Sequence, residues 1–302
     1  MNPGATLTLT GYSTALFSTW WFVDDLSLML DCGDGACAAL MQKSRKARTI
    51  AVSHSDRDHL AGLPQFLQLN VREKGLPVVL YPRDCTSFPI LRDFLHDFDR
   101  FHLEAEEGNL WKPMTDGSRH VLGKGKATIE AIANRHIECG GSEVKSLSYR
   151  VTRNHQQLKP EFRDLDNEAI VALREERGAE AIMDFDSEII LTYSADTPIE
   201  SAEFWDKTKL LIHESTFLTR DDCETRRQEL RHSALDEVMP MATELNPEAL
   251  VLGHFSTRYR RHEIREAILR ECRRCRPSFP VFAVLPGEIR HDLLRKRPTW
   301  EP

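Results

Sequence analysis

Between Val52 and Pro64 the chain reads Val-Ser-His-Ser-Asp-Arg-Asp-His-Leu-Ala-Gly-Leu-Pro, so His54, Asp56, Asp58 and His59 crowd into six residues directly after an apolar run. A strand ending at Ser53 would deliver these side chains into a tight turn where several converge. Two carboxylates brought together there repel and lose solvation at high cost unless a cation offsets them. Neutral imidazole with carboxylate is a donor set for Zn, Mn or Fe. The alternative reading is a polar turn that caps the following helix, with Asp58 as the N-cap.

The same local grammar recurs downstream. His136 follows the run Ala127 to Asn134, Asp196 follows Ile189 to Ala195, His213 and Glu214 follow Leu210 to Ile212, and His254 follows Leu250 to Gly253. In open α/β sheets the loops at the carboxyl ends of strands line the site, which gives these residues one destination. Each taken singly also reads as a capped or core histidine.

The elements that must position them are short. Strands are expected at Ala5–Leu9, Leu26–Leu30, Thr49–Val52, Val78–Tyr81, Ala127–Ala133, Leu147–Val151, Ile189–Thr192, Leu210–Ile212, Leu250–Leu252 and Val281–Val284. Helices are expected at Gly35–Lys43, Leu63–Lys74, Ile90–Phe101, Glu168–Arg177, Ala234–Leu245 and His262–Arg273. No linker, low-complexity tract or tandem repeat interrupts this order, so 1–302 reads as one α/β domain with helices on sheet faces.

Composition sets the outer bounds. The 302 residues are 41% hydrophobic and 29% charged with net charge −7, which excludes a disordered, collagenous or disulfide-scaffold protein. No stretch approaches the ~18 consecutive apolar residues of a spanning helix. Met1 to Thr10 lacks a basic and an apolar export region, and seven scattered cysteines suit a reducing compartment; both point to the cytoplasm. Arg258 to Arg297 carries twelve Arg/Lys against five Asp/Glu on an otherwise acidic chain. That segment is either a polyanion contact or a solvated helix face. Trp20-Trp21-Phe22, near an early turn, offers a base-stacking wall or plain packing. Cys272 and Cys275 match a CxxC spacing on a helix with no second pair, which is poor evidence for zinc.

His54-Ser55-Asp56-Arg57-Asp58-His59 resembles the HxHxDH motif of the metallo-β-lactamase superfamily. Further segments narrow the resemblance to ribonuclease Z and its relatives: Leu30-Asp31-Cys32-Gly33-Asp34-Gly35 is similar to that family's D-C-G-E-G turn, Gly62-Leu63-Pro64 to G-L-P, Ser194-Ala195-Asp196-Thr197 to S-G-D-T, His213-Glu214-Ser215-Thr216 to H-E-A-T, His232-Ser233-Ala234 to H-S-T, and His254-Phe255-Ser256-Thr257-Arg258-Tyr259 to H-F-S-S-R-Y. The resemblance implies an αββα sandwich with two divalent ions, Zn by family, that activate water against a phosphodiester. By matching position, His54, Asp56 and His136 would hold one ion, Asp58, His59 and His254 the other, with Asp196 shared. Asp58 and His232 would be catalytic, His232 by protonating the leaving oxygen. His213 and Glu214 would support the site from behind. Relatives are commonly dimers, so a homodimer is implied.

Two departures from the family pattern matter. Asp56 stands where the motif has its second His, which adds a negative charge, lowers the Lewis acidity of the pair and tilts the site toward harder ions such as Mn. The stretch between the His136 and Asp196 positions, where ribonuclease Z carries a basic Gly/Pro-rich arm for tRNA, is shortened to about 153–188 and holds an ordinary mixed-charge helix. Affinity for RNA scales with neutralised phosphates. The expected function is therefore dinuclear metal-dependent phosphodiester hydrolysis, with tRNA 3′ ends as one substrate and a small cyclic nucleotide, cyclic phosphate, lactone or thioester as the alternative. A non-catalytic scaffold is the third reading, and the full set of ligand-type residues speaks against it.

Overall fold

The computed structural model describes residues 7–70, 77–99, 110–123, 127–224 and 231–302, the side chains of 156, 185 and 224 excepted. Its strands are β1 (Leu9–Thr14), β2 (Ser18–Val23), β3 (Leu28–Leu30), β4 (Thr49–Ala51), β5 (Val78–Pro82), β6 (Trp111–Met114), β7 (Arg119–Leu122), β8 (Ala127–Ala133), β9 (Leu147–Leu158), β10 (Met183–Tyr193), β11 (Leu210–Glu214), β12 (Ala249–Gly253) and β13 (Val281–Ala283). The α-helices are α1 (Ala36–Leu40), α2 (Arg57–Leu60), α3 (Leu63–Asn70), α4 (Ser87–Phe98), α5 (Asn167–Arg177), α6 (Ala179–Ile182), α7 (Arg220–Glu224), α8 (Leu235–Leu245) and α9 (Arg261–Cys275).

The strands form two sheets, one in the order β1-β2-β3-β4-β5-β6 and the other β13-β12-β11-β10-β9-β8-β7. Side chains alternate between the faces of a strand, and here both faces are buried. Trp21, Leu30, Ala51 and Leu80 of the first sheet meet Ile129, Tyr149, Leu191, Ile212 and Val251 of the second between the sheets. Met29, Ile50 and Val79 turn the other way, against Cys37, Phe66 and Phe88 of α1, α3 and α4. On the far side Leu211, Leu250 and Leu252 pack on Val238, Met239, Ile264 and Ile268 of α8 and α9. The result is the expected αββα sandwich. Strands buried on both faces read as continuous apolar runs, which is why most were legible.

Several boundaries differ from expectation. The first strand is β1 at Leu9–Thr14, not Ala5–Leu9, of which residues 5 and 6 lie outside the described residues. The expected helices at 63–74 and 90–101 likewise run partly outside them. β2 (Ser18–Val23) was not anticipated, because all six residues are buried and the segment shows no alternation. Trp20-Trp21-Phe22 is thus the interior of a strand and supplies core, not a base-stacking wall. β6 and β7 are short edge strands, the former containing Pro113, and escape a pattern search for the same reason Pro tolerates edges. β9 runs to Leu158 and pairs with β10 as far as Met183. The 153–188 stretch is consequently an antiparallel ribbon tipped by α5 and α6, and α5 buries none of its residues.

Register brings the strand ends to one edge. Leu30 pairs with Ala51 and Ala51 with Leu80 in parallel, so Asp31 emerges beside Ser53. His213 and Glu214 pair with Leu252 and Gly253, immediately before His254.

Candidate metal centre

The turn after β3 and the loop after β4 are docked on each other by backbone contact. Gly62 N–H donates to Cys32 O at 2.9 Å, and Cys32 N–H to His59 O at 2.8 Å. A Cβ on Gly62 would fall 2.2 Å from Gly33 O, and one on Gly33 would fall 2.3 Å from Asp58 O. Both glycines are therefore required by the closeness of two backbones. This contact holds α2 and its side chains against Asp31. Asp58 lies inside α2, so it is not the N-cap. Asp56 takes that position and makes no side-chain capping bond.

Around this edge the ligand-type atoms converge. Asp196 Oδ2 is 3.3 Å from Nε2 of His59, 3.3 Å from Nε2 of His254 and 3.8 Å from Nε2 of His54. Asp58 Oδ2 is 3.5 Å from both His59 Nε2 and His254 Nε2. Asp56 Oδ2 is 3.7 Å from His54 Nε2 and 3.9 Å from His136 Nε2, with a side chain 60% exposed. Among the described residues the atoms fall into the groups His54/His136/Asp196, Asp58/His59/His254 and Asp196/His232/His254, each within 4.8 Å. Asp196 belongs to the first and the third, and its Oδ2 also lies 3.3 Å from His59 Nε2 of the second.

Each imidazole is oriented through its other nitrogen. His59 Nδ1–H donates to Asp31 Oδ2 at 2.7 Å, His136 Nδ1–H to Arg231 O at 3.1 Å, and His254 Nδ1–H to Thr216 Oγ at 2.8 Å. His54 Nδ1–H donates to Ser53 Oγ at 2.9 Å, and Ser53 passes its own hydroxyl hydrogen to Asp31 Oδ2 at 2.9 Å. These bonds assign the lone pair of all four rings to Nε2, facing the centre. Nε2 of His54 and of His59 are buried without a hydrogen-bond partner. Two ligand atoms on one tetrahedral ion stand about 3.3 Å apart for bonds near 2.0–2.1 Å, close to the spacing seen here. The residues thus fit a pair of divalent ions: inward lone pairs, buried orphan nitrogens and carboxylates between them.

The packed rings and carboxylates shift one another. Burial, reinforced by His59, holds the His54 imidazole well below its ordinary range. Burial opposes charge on His59 too, yet Asp196 and Asp31 raise it. Asp196 and Asp58 resist burial and stay ionised through the histidines around them. The neighbouring imidazoles of His136 and His54 lower Asp56.

His232 occupies a different position. Its Nδ1 is 2.9 Å from Glu214 Oε1 and 3.9 Å from Asp196 Oδ2. Against burial, Glu214 pushes its pKa up to about 9, so it carries a proton. Glu214 also accepts from Thr197 N–H at 2.9 Å and from Thr216 Oγ–H at 2.6 Å, which ties His232 and His254 to one buried carboxylate. His213 does not share this arrangement. It is bonded to the carbonyl of its neighbour Glu214, stands edge-on to Trp205 and makes no hydrogen bond to the seven ligand-type residues.

Sequence reasoning assigned no role to Asp31, Ser53, Thr216 or Tyr193. Asp31 is fully buried and accepts from Ser53 N–H (2.7 Å), Ser53 Oγ–H, His59 Nδ1–H and Tyr193 O–H (2.5 Å). Asp31, Ala195 and His254 all have positive φ, at 55°, 52° and 60°. Non-glycine residues rarely adopt that region, and it concentrates at functional sites. The signal for Asp31 and Thr216 was their place inside quoted motifs. A cavity of about 1150 Å³ opens above the centre, bordered by Asp58, Asp196, His232, His254 and Arg258.

No family model matches the chain. It is 25% identical over 268 residues to the chloroplastic tRNase Z TRZ2 of Arabidopsis thaliana, covering 86% of this chain and 70% of that protein. It is 26% identical over 278 residues to the ribonuclease Z of Oceanobacillus iheyensis, covering 83% and 85%. Among solved structures, the metallo-β-lactamase fold protein YhfI of Bacillus subtilis matches with a TM-score of 0.59 at 17% identity, over 95% of this chain and all of that one. The chain has the metallo-β-lactamase fold, and its sequence is similar to those of ribonuclease Z proteins. The ribbon of β9 and β10 spans the stretch between the His136 and Asp196 positions.

In the basic C-terminal segment several arginines share single carboxylates and the net charge stays positive. Arg261 and Arg265 pair with Glu288, and Arg274 with Glu271. Among the described residues no helix is long and apolar enough to cross a membrane. The seven cysteines are free, Cys272 buried and Cys275 half-buried on α9.

Proposed function

We propose that this chain is a dinuclear metal-dependent phosphodiester hydrolase that cleaves RNA, with the 3′ ends of tRNA precursors as its substrate. The observation that carries the reading is the convergence on Asp196, whose Oδ2 lies 3.3–3.8 Å from Nε2 of His54, His59 and His254, with Nε2 of these rings and of His136 turned to the centre. His54, Asp56 and His136 would hold one ion, Asp58, His59 and His254 the other, and Asp196 both. Such ions supply an activated water and stabilise charge on the phosphoryl oxygens.

The chain's own residues do the rest. Asp58 accepts the backbone N–H of Leu16 at 3.0 Å, which fixes the carboxylate toward the cavity and suits it to orient the attacking water. His232, kept protonated by Glu214, faces the same cavity and donates its proton to the leaving oxygen. Asp31, through His59, holds the tautomer that leaves Nε2 unprotonated.

We propose Zn as the resident metal by family, with Mn made competitive by the harder donor Asp56. The assembly we expect is a cytoplasmic homodimer, for which light scattering of the purified chain is the check. One observation favours the small-substrate alternative. The 153–188 ribbon carries five Arg/Lys against ten Asp/Glu, a poor grip for phosphates. Turnover of bis(p-nitrophenyl) phosphate, a precursor tRNA and a lactone panel, each with metal-stripped protein and zinc or manganese add-back, tests the reading. Metal-dependent cleavage of precursor tRNA is expected. Precursor tRNA left uncut beside rapid turnover of a small diester would remove it.

A further inference from the structure

The β9–β10 ribbon and the end of α9 lie at the same edge of the sandwich. β9 starts beside the metal centre, where Leu147 N–H donates to Ser53 O at 2.9 Å, and β10 returns there at Tyr193, just before Asp196. The ribbon therefore projects from the opposite edge. β8 pairs with β9 only as far as Arg153, and beyond it Asn154–Leu158 pair with Met183–Ser187. α9 runs back across the same sheet from the His254 edge and ends at Cys275. Short contacts tie that end to the base of the ribbon. Lys209 pairs with Glu188 at 2.6 Å and with Glu248 at 3.3 Å, and Ser278 Oγ–H donates to Asn246 Oδ1 at 2.6 Å.

The two surfaces carry opposite charge. Residues 153–188 hold five Arg/Lys against ten Asp/Glu, residues 258–297 twelve against five. α5, at the ribbon tip, buries none of its residues. Among the described residues Glu161, Asp164, Glu168, Glu175 and Glu180 make no ion pair, while the ribbon's own Lys159 and Arg163 are spent on the carbonyls of Glu180, Ala181 and Leu158. At the end of α9, Arg273 and Arg276 are exposed and likewise without an ion pair. Within one copy no ion pair among the described residues joins the two surfaces. Leu165 and Val171 stand exposed at the ribbon tip and add apolar area for a partner to cover. Charges at a contact outweigh the net −7 of each copy, because salt screens beyond ~8 Å at ~0.15 M.

We propose that the acidic ribbon of one copy docks on the basic end of α9 in a second copy, and the reverse, closing a two-fold homodimer. Because both surfaces share one edge, a two-fold axis beside it closes both contacts at once and leaves no open end for a filament. Each ribbon offers ~16 Å of helix and ~17 Å of paired strand, so two ribbons on two edges bury on the order of 1,200 Å², the low end of stable interfaces. A contact of that size held by exposed charge is sensitive to salt. The inference rests on the homodimer reading above, supplies its surface and is independent of the hydrolase chemistry.

Sedimentation velocity of the full chain, as wild type and as the charge-reversed variants E168K/E175K/E180K and R273E/R276E, tests this over a range of concentration and salt. None of these residues borders the cavity at the metal centre. The wild type is expected to dimerise, with Kd rising roughly tenfold between ~0.05 and ~0.5 M salt. Either variant alone sets like charge against like at both contacts and weakens the dimer by about tenfold or more. An equimolar mixture of the two variants restores it, since each ribbon then meets an edge of opposite charge, and the rescue shows that both have folded. A mixture that stays monomeric overturns the proposal. Variants that dimerise like the wild type overturn it too and leave the homodimer reading standing on another face. A wild type that is monomeric throughout removes both.

Discussion

Oδ2 of Asp31 lies 2.7 Å from Nδ1 of His59, and the same oxygen receives the hydroxyl of Tyr193 from the other sheet. One buried carboxylate thereby aims a candidate ligand and fastens the two sheets together behind the centre. Its position depends on the β3–β4 register and on the glycine-to-glycine contact, and neither involves a residue of the HxHxDH-like motif itself.

Asp31→Asn keeps the volume but removes the charge that orders His59. Metal affinity is expected to fall roughly 10–100-fold, read by competition with a chelating indicator. Asp31→Ala also strands Ser53 and Tyr193 and costs about 3–5 kcal/mol, read by urea unfolding of the metal-free protein.

Asp196→Ala removes the carboxylate proposed to hold both ions, which lies within 3.8 Å of Nε2 of His54, His59 and His254. Bound metal is expected to fall from two ions per chain to at most one. Diester turnover drops roughly a thousandfold, ~4 kcal/mol of transition-state stabilisation. Elemental analysis of the purified variant, alongside kinetics, checks both. Full metal content would refute the shared role.

His232→Ala should retain its metal, because His232 is held by Glu214 and stands outside the groups His54/His136/Asp196 and Asp58/His59/His254. Cleavage of a ribonucleotide diester, whose leaving alkoxide needs a proton, is expected to slow roughly 10²–10⁴-fold. A p-nitrophenyl diester, whose leaving group needs none, should lose far less. Equal losses on the two substrates would contradict proton donation.

Gly62→Ala drives a methyl group into the Gly33 carbonyl at a nominal 2.2 Å. Backbone must move on both sides, with an expected loss of about 3 kcal/mol. Because the shift misplaces α2, metal affinity should fall with stability. Parallel denaturant and metal titrations follow the two effects.

Local pattern carried most of the architecture. Strands such as β4, β11 and β12 are short apolar runs buried on both faces, and each announces itself by composition. The ligand-type residues stand at the ends of those runs, so their sequence positions already imply a common edge. β2 was hidden by the same double burial, since six apolar or hydroxyl residues without alternation look like no single element. The length of β9 was hidden because its outer half is polar and gains its order only by pairing with β10.

What the chain determines alone is which donor atoms exist and which strand ends carry them, because burial and hydrogen-bond capacity are properties of residue type. Which nitrogen of each histidine faces inward is decided only in three dimensions. It depends on Asp31 meeting His59 across 28 residues and Tyr193 across 162, and on Thr216 reaching His254 across 38. The same holds for the separation of Glu214, which reaches the site, from its neighbour His213, which does not. Side chains of successive strand residues point to opposite faces, so adjacency in sequence places them in different layers.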